Sequence, residues 1–293
     1  MAVRRAAPRH APVGWLRFTW RLFRDAWLHF DVDGGWLLAG HIAFASLLAF
    51  FPFLIVLTIV AGWLGETEMG QDAVDQLLAA LPRQVEGALW PAVHQVTLSP
   101  PRGLFTASVL GALWAAASGL EALREGVNRA YGVGAPPAIW WRRLQSLGLT
   151  LAFAVALLMG TVAIVLAPLA WNAATLAVRL PDEFGAVFDA VRYGLGVIVM
   201  IMALSVLYRF LPNVTLRRRE IYPGAVFAAL AWLAAGSLFS IYVSYAPGIS
   251  ILYGSLAGAV VALLFFYISA IIFLFGAEIN AVWRRRRAAA AQP

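Results

Sequence analysis

The chain has 293 residues, of which 62% are hydrophobic and only 13% charged, and its mean hydropathy is +0.78. So few charges cannot cover a soluble fold of this size, and composition selects the integral-membrane class. The net charge of +7 rests on 22 basic residues, all arginine, and the absence of cysteine excludes disulfides, iron–sulfur clusters and thiolate zinc sites.

Residues 1–35 read as a basic cytoplasmic or interfacial segment. Within it Trp15, Phe18, Leu22 and Trp27 are apolar while Arg17, Arg21 and Arg24 can meet anionic head groups, the pattern of an amphipathic helix lying on the membrane. "HFDVDGG" at 29–35 has the look of a metal cluster but reads as a turn with a helix-start Asp. The four histidines, His10, His29, His41 and His94, never fall in paired ligand spacing. No short apolar region with a small-residue cleavage site precedes the first long apolar run, so the first span is expected to act as an uncleaved anchor.

Residues 36–283 read as the membrane domain. A bilayer core of about 30 Å needs about 20 helical residues, and six runs qualify: roughly 36–64, 104–123, 144–171, 188–210, 223–245 and 251–283. The last is long enough to tilt or to project into the cytoplasm. Short alternating strands of the barrel type do not occur, so the expected fold is all-α: a polytopic bundle of six transmembrane helices with amphipathic interfacial helices.

Arginine placement orients the bundle. Arg4, Arg5, Arg9, Arg17, Arg21 and Arg24 precede span 1. Arg124, Arg129, Arg142 and Arg143 lie between spans 2 and 3, and Arg209, Arg217, Arg218 and Arg219 between spans 4 and 5. Arg284, Arg285, Arg286 and Arg287 follow span 6 in the basic tail, 284–293. That places 18 arginines on one side against four, Arg83, Arg102, Arg179 and Arg192, on the other. Both termini are therefore expected in the cytoplasm. The one long outer segment, 65–103, is acidic and carries two helical repeats, Val74, Leu77, Leu78 and Leu81, then Val85, Leu89, Val93 and Val96. It reads as an amphipathic cap, or as a gate over an outward-facing cavity.

Functional residues are sought where charge meets the apolar runs. Pro52, near the middle of span 1, removes a helix hydrogen bond and is a hinge candidate. In "SGLEALREGVNRAYG", residues 118–132, Ser118, Glu121, Glu125 and Asn128 follow spacings that put them on one helical stripe, with Arg124 and Arg129 alongside. Glu125 and Arg129 are placed for an i, i+4 ion pair. Ionisable groups at this depth are rare without a role, although the leading reading is a cytoplasmic helix extension anchored at the water boundary by snorkelled pairs. Glu278, in "FLFGAEINAVW", is a second carboxylate near an inner end, and the two glutamates are candidates to face each other across the bundle with Arg124 or Arg209 between them. Small residues at spacing four read as close helix packing: Ala107, Gly111 and Ala115; Gly224 and Ala228; Gly236 and Ser240; Gly254 and Gly258.

Taken together, "HIAFASLLAFFPFLIVL", "EALREGVNRAYGV", "LYRFLPN", "YPGAVFAALAWLAAGSLFSIYV", "YGSLAGAV" and "LFGAEINAVW" resemble the successive signature segments of the YihY/BrkB family of bacterial inner-membrane proteins, from about residue 21 to 283. The resemblance implies six helices with cytoplasmic termini, in agreement with the arginine count. Its members have often carried the label ribonuclease BN, and others have been associated with serum resistance and lipopolysaccharide-precursor phenotypes. Asn128, Pro212, Asn213, Gly254 and Glu278 fall in the matching segments.

The leading expectation is an inner-membrane protein that transports an anionic amphipathic envelope molecule, a lipid or lipid-linked precursor. Arg124, Arg209 or Arg217, Arg218 and Arg219 attract its head group. Glu121 and Glu278 gate by pairing with those arginines when the site is empty, with Glu125, Asn128 and Asn213 lining it. The alternative is a membrane scaffold that recruits envelope partners without transport. A membrane-bound hydrolase finds no nucleophile or metal constellation in the sequence, so neither enzyme activity, cofactor nor nucleic-acid partner is expected. Lipids are the expected partners, with a homo-oligomer or envelope proteins left open. No nucleotide-binding segment is present, so any energy coupling would come from an ion gradient or another subunit.

Overall fold

The computed structural model describes residues 13–64, 105–133, 140–142, 144–149, 183–244 and 257–290. Among them every regular element is α-helical. The elements are α1 (Val13–Val32), α2 (Gly35–Leu64), α3 (Phe105–Ala130), α4 (Glu183–Phe210), α5 (Arg218–Ser244) and α6 (Ala257–Ala290), with a further helical stretch at 144–149. The outer segment 65–103, most of the third expected span and the turn joining the last two spans lie outside the described residues.

Two stretches, Arg218–Tyr242 and Gly258–Ala289, are long and apolar enough to cross a bilayer. A third arises if Arg17–Val32 and Gly35–Ala49, bent by 70° where they meet, count as one. That bend has a local cause. α1 stops with one of the two bonds of a Schellman turn, Gly34 lying in the left-handed region at φ 72° with its N–H bonded to the Asp31 carbonyl at 3.1 Å. Asp31 caps no helix start. Its carboxylate accepts a hydrogen bond from Trp36 Nε1 at 3.1 Å, across the bend. The "HFDVDGG" segment is thus the end of one helix and the start of the next, and no group of three metal-ligating side chains occurs among the described residues.

α6 is the hub, packing against α1, α2, α3 and α5, while α4 packs on α5 and α2 on α3. In lipid the hydrophobic effect does not press helices together, so association depends on close backbone approach and on bonds between helices. The α5–α6 crossing supplies both. A Cβ on Gly224 would collide with the Gly276 carbonyl oxygen, and one on Gly276 with the Tyr208 hydroxyl. Pro223 sits inside α5, where its ring displaces the carbonyl four residues back. The next N–H, of Gly224, is taken by the buried Asn280 side chain at 2.7 Å. Of the small-residue repeats in the sequence, Gly224 and Ala228 lie at this contact, whereas Gly111 and Gly236 meet nothing among the described residues.

α1 is amphipathic, as its sequence suggests, but its apolar face is a packing face. Leu22 and Ala26 are buried against Ile279 and Val282 of α6. Phe18 meets Trp283 edge-on at 5.7 Å, and Arg286 donates to Asp25 at 2.6 Å. Trp20 remains 71% exposed and Trp27 54% exposed, free to meet lipid. Arg286 of the tail therefore fastens α6 to α1. Arg287 also lies over the Trp283 ring at 5.1 Å.

These contacts make opposite demands on two glycines of one helix. Gly224→Ala should destabilise the protein by about 1–3 kcal/mol through overpacking, whereas Gly236→Ala should be neutral or stabilising by up to about 1 kcal/mol through helix propensity. Thermal melts of the detergent-solubilised variants check this; equal effects at the two positions would contradict the crossing.

Candidate functional site

The first half of the site is one face of α3. Ser118, Glu121, Glu125 and Asn128 all line a cavity of about 690 Å³. Its other described lining residues include Arg124, Arg129, Arg142, His41, Trp114 and Asn213. α3 ends in a second Schellman turn, with Gly132 at φ 66° and Val133 N–H bonded to the Asn128 carbonyl at 2.9 Å. The turn fixes the direction of Asn128, whose side-chain oxygen accepts the Asn213 backbone N–H at 2.8 Å. One asparagine thus ties the end of α3 to the "LPN" turn that follows α4.

Arg124 sits at the back of the cavity and is 1% exposed. A guanidinium so deep must be hydrogen-bonded. Nη1 donates to Gln145 at 3.0 Å, and Nη2 to Ser146 Oγ at 3.2 Å. Ser146 in turn donates to Glu121 at 2.7 Å, and Gln145 Nε2 donates to the Phe210 carbonyl at 3.0 Å. The network joins α3, the stretch at 144–149 and the C-terminal end of α4. Two donors of the cavity's arginines stay unused: the buried Nε atoms of Arg124 and Arg142 have no hydrogen-bond partner among the described residues. Glu125 and Arg129 form the ion pair expected from their spacing, at 2.6 Å and half-exposed, a geometry that contributes under about 0.5 kcal/mol.

The structure brings together Glu121, Arg124, Glu125, Asn128 and Asn213 from the residues singled out in the sequence. It leaves others apart. Arg209 is exposed and reaches only the Leu216 carbonyl at 3.5 Å. Arg217, Arg218 and Arg219 are exposed at the start of α5, where Glu220 reaches back to the Arg217 N–H at 2.9 Å as in a capping box. Glu278 is buried outside the cavity, and its nearest cation is Arg285 at 3.7 Å. The face-to-face arrangement of Glu121 and Glu278 around Arg124 or Arg209 is therefore replaced by separate partners, because α6 turns Glu278 toward the α1–α2 bend. Pro52 lies within α2, which is helical on both sides of it. Arg142, Gln145, Ser146 and Trp114 were not singled out as site residues. The pattern "WWRRLQS" does hold the signal, since polar groups interrupt an apolar run there.

Residues 26–293 match the family described as virulence factor BrkB. The chain belongs to the BrkB family. A relative in Bacillus subtilis, named as the ribonuclease-like protein YfkH, is 30% identical over 90% of this chain and 95% of its own length. A UPF0761 membrane protein of Pseudomonas aeruginosa is 38% identical over 29% of this chain and 22% of its own. Another from Verminephrobacter eiseniae is 30% identical over 36% of this chain and 24% of its own. No solved structure gives a significant match. Membrane-protein relatives and the long apolar helices α5 and α6 together make this BrkB-family chain an integral membrane protein.

The burial contrast between two arginines is testable. Arg124→Met strips Gln145 and Ser146 of a buried donor and leaves Glu121 without its nearby cation, and should lower stability by about 3 kcal/mol. Arg209→Met should change it by less than about 0.5 kcal/mol. Equal melting temperatures for the two solubilised variants would contradict the network.

Proposed function

We propose that the protein binds, and passes across the inner membrane, an anionic amphipathic molecule of the cell envelope, a lipid or lipid-linked precursor. The observation that carries this reading is a polar cavity near the C-terminal end of α3 lined by Arg124, Arg129 and Arg142, with the buried Nε donors of Arg124 and Arg142 left unpartnered among the described residues. Buried donors are normally satisfied, and guanidinium groups suit phosphate and carboxylate. The lining offers Arg124, Arg129 and Arg142 against Glu121 and Glu125, a small excess of positive charge. Its volume is that of a small-molecule site. The neighbouring apolar face of α3, with Leu110 and Trp114 more than 60% exposed, suits an acyl chain beside the head group.

The reading assigns the molecule a six-span topology with both termini cytoplasmic, residues 1–35 and 284–293 forming basic flanks to a membrane domain at 36–283. In it the inner-leaflet head group arrives at the arginine-rich side, and Pro52 lets α2 bend as the cavity changes access. No catalytic step, cofactor or nucleic acid enters. A scaffold role is favoured by one observation, that the Arg124 network knits α3, the stretch at 144–149 and α4 together through the protein's own side chains.

Native mass spectrometry of gently extracted protein separates the two. Transport expects a stoichiometric anionic lipid or precursor that survives delipidation, with occupancy falling about tenfold or more in Arg142→Gln at unchanged abundance. A bare protein, or random amounts of bulk phospholipid unaffected by the substitution, would favour the scaffold.

A further inference from the structure

The stripe of α3 that lines the cavity changes character along its length. Its C-terminal half carries Ser118, Glu121, Glu125 and Asn128, while the same face one and two turns before Ser118 carries Trp114 and Leu110. Trp114 stands at the change, since it lines the cavity and is also exposed. The neighbouring elements repeat the pattern. On α2, His41 lines the cavity, and the next residues along that face, Phe44 and Leu48, are both more than half exposed. On the stretch at 144–149, Leu147 lines the cavity and is exposed, as is Leu144 one turn away.

The register of α2 against α3 sets these changes side by side. A Cβ on Gly34 would stand 3.9 Å from the Arg129 guanidinium, and one on Gly119 would stand 3.9 Å from the Ala45 Cβ. The two helices therefore run antiparallel, and Leu48 comes level with the turn between Trp114 and Ser118. Apolar side chains from three elements thus border the end of the cavity that the arginines do not occupy. Exposed apolar residues elsewhere lack that continuity: Leu238 on α5 is as exposed as Trp114 but has no part in the lining.

A free anion would need only the arginines. A lipid needs a charged pocket and an apolar surface that run into one another, because a head group drawn into the pocket brings its chain across whatever lies beside it. We propose that Trp114, Leu147 and the Phe44–Leu48 face form a lateral entry through which the ligand slides in from the membrane. Its acyl chain lies against Trp114 while its phosphate reaches Arg124 and Arg142. This rests on the reading of the cavity as a head-group site and adds a specificity to it: the site takes a phosphate that carries a chain and passes over the same phosphate free in water.

Photocrosslinking of the full-length protein in phosphatidylcholine nanodiscs doped with phosphatidic acid tests it. The photoreactive residue p-benzoyl-phenylalanine is placed at Phe44 or Leu147, and at Leu238 as the reference. Lipid adducts at the first two positions should be enriched in phosphatidic acid about tenfold over the reference, and the enrichment should vanish in Arg142→Gln. Trp114→Ala should lower it about threefold or more, the scale of one aromatic contact. Glycerol 3-phosphate, the head group without its chains, should leave the adducts unchanged. Adducts of bulk composition, on a protein whose native mass spectrum still shows an Arg142-dependent phosphatidic acid, would overturn the lateral entry and leave the head-group site standing. Displacement of that lipid by glycerol 3-phosphate would do the same, because the cavity would then accept a soluble anion. No Arg142-dependent lipid at all would overturn both.

Discussion

A guanidinium cannot be left dry inside a helical bundle, and the meeting of α3, the stretch at 144–149 and α4 is organised around that constraint. Arg124 is almost completely buried, so the chain must bring acceptors to it from elsewhere. It does so with Gln145 and Ser146, and through Ser146 with Glu121. Those bonds fix where the stretch at 144–149 meets α3 and, through the Phe210 carbonyl, where α4 ends. A geometry set to hold one arginine leaves its buried Nε, and that of Arg142, without a hydrogen-bond partner among the described residues, while both residues line the polar cavity.

The other organising element is α6, which solves the packing problem by being thin where it must be and polar where it can be. Gly276 admits the Tyr208 hydroxyl and the backbone of Gly224. Tyr208 uses that access to donate to the Phe273 carbonyl at 2.7 Å while its ring stacks on Phe273. One turn on, Asn280 completes the bonding of a proline-disturbed helix start in α5. Further on, the arginines of the tail reach back to α1 and to the end of α3. α6 thus buries Glu278 outside the cavity that Glu121 lines.

What the sequence made legible follows from the range over which periodicity speaks. Ser118, Glu121, Glu125 and Asn128 share a helical face by spacing alone, and they line one cavity. The Glu125–Arg129 pair is equally local. The 118–132 stretch is therefore more than a boundary anchor in its packing, since Arg124 is buried among partners and not snorkelling to water. Which face meets which helix is a different question, because contacts such as Asp25 with Arg286 or Asn128 with Asn213 join residues far apart in the chain. No pattern within one segment encodes them. Likewise, an apolar stripe on α1 is the same whether it meets lipid or α6, and only the fold distinguishes Leu22, which is buried, from Trp20, which is not.

The central claim is that two unpartnered arginine donors wait for an anion. It is tested most directly by determining the structure by electron cryomicroscopy in nanodiscs rich in anionic phospholipid. The account expects head-group density within hydrogen-bonding distance of Arg124 Nε and Arg142 Nε, with the acyl chains leaving along α3 past Trp114. A cavity filled by the protein's own side chains, with both Nε groups bonded internally, would contradict it.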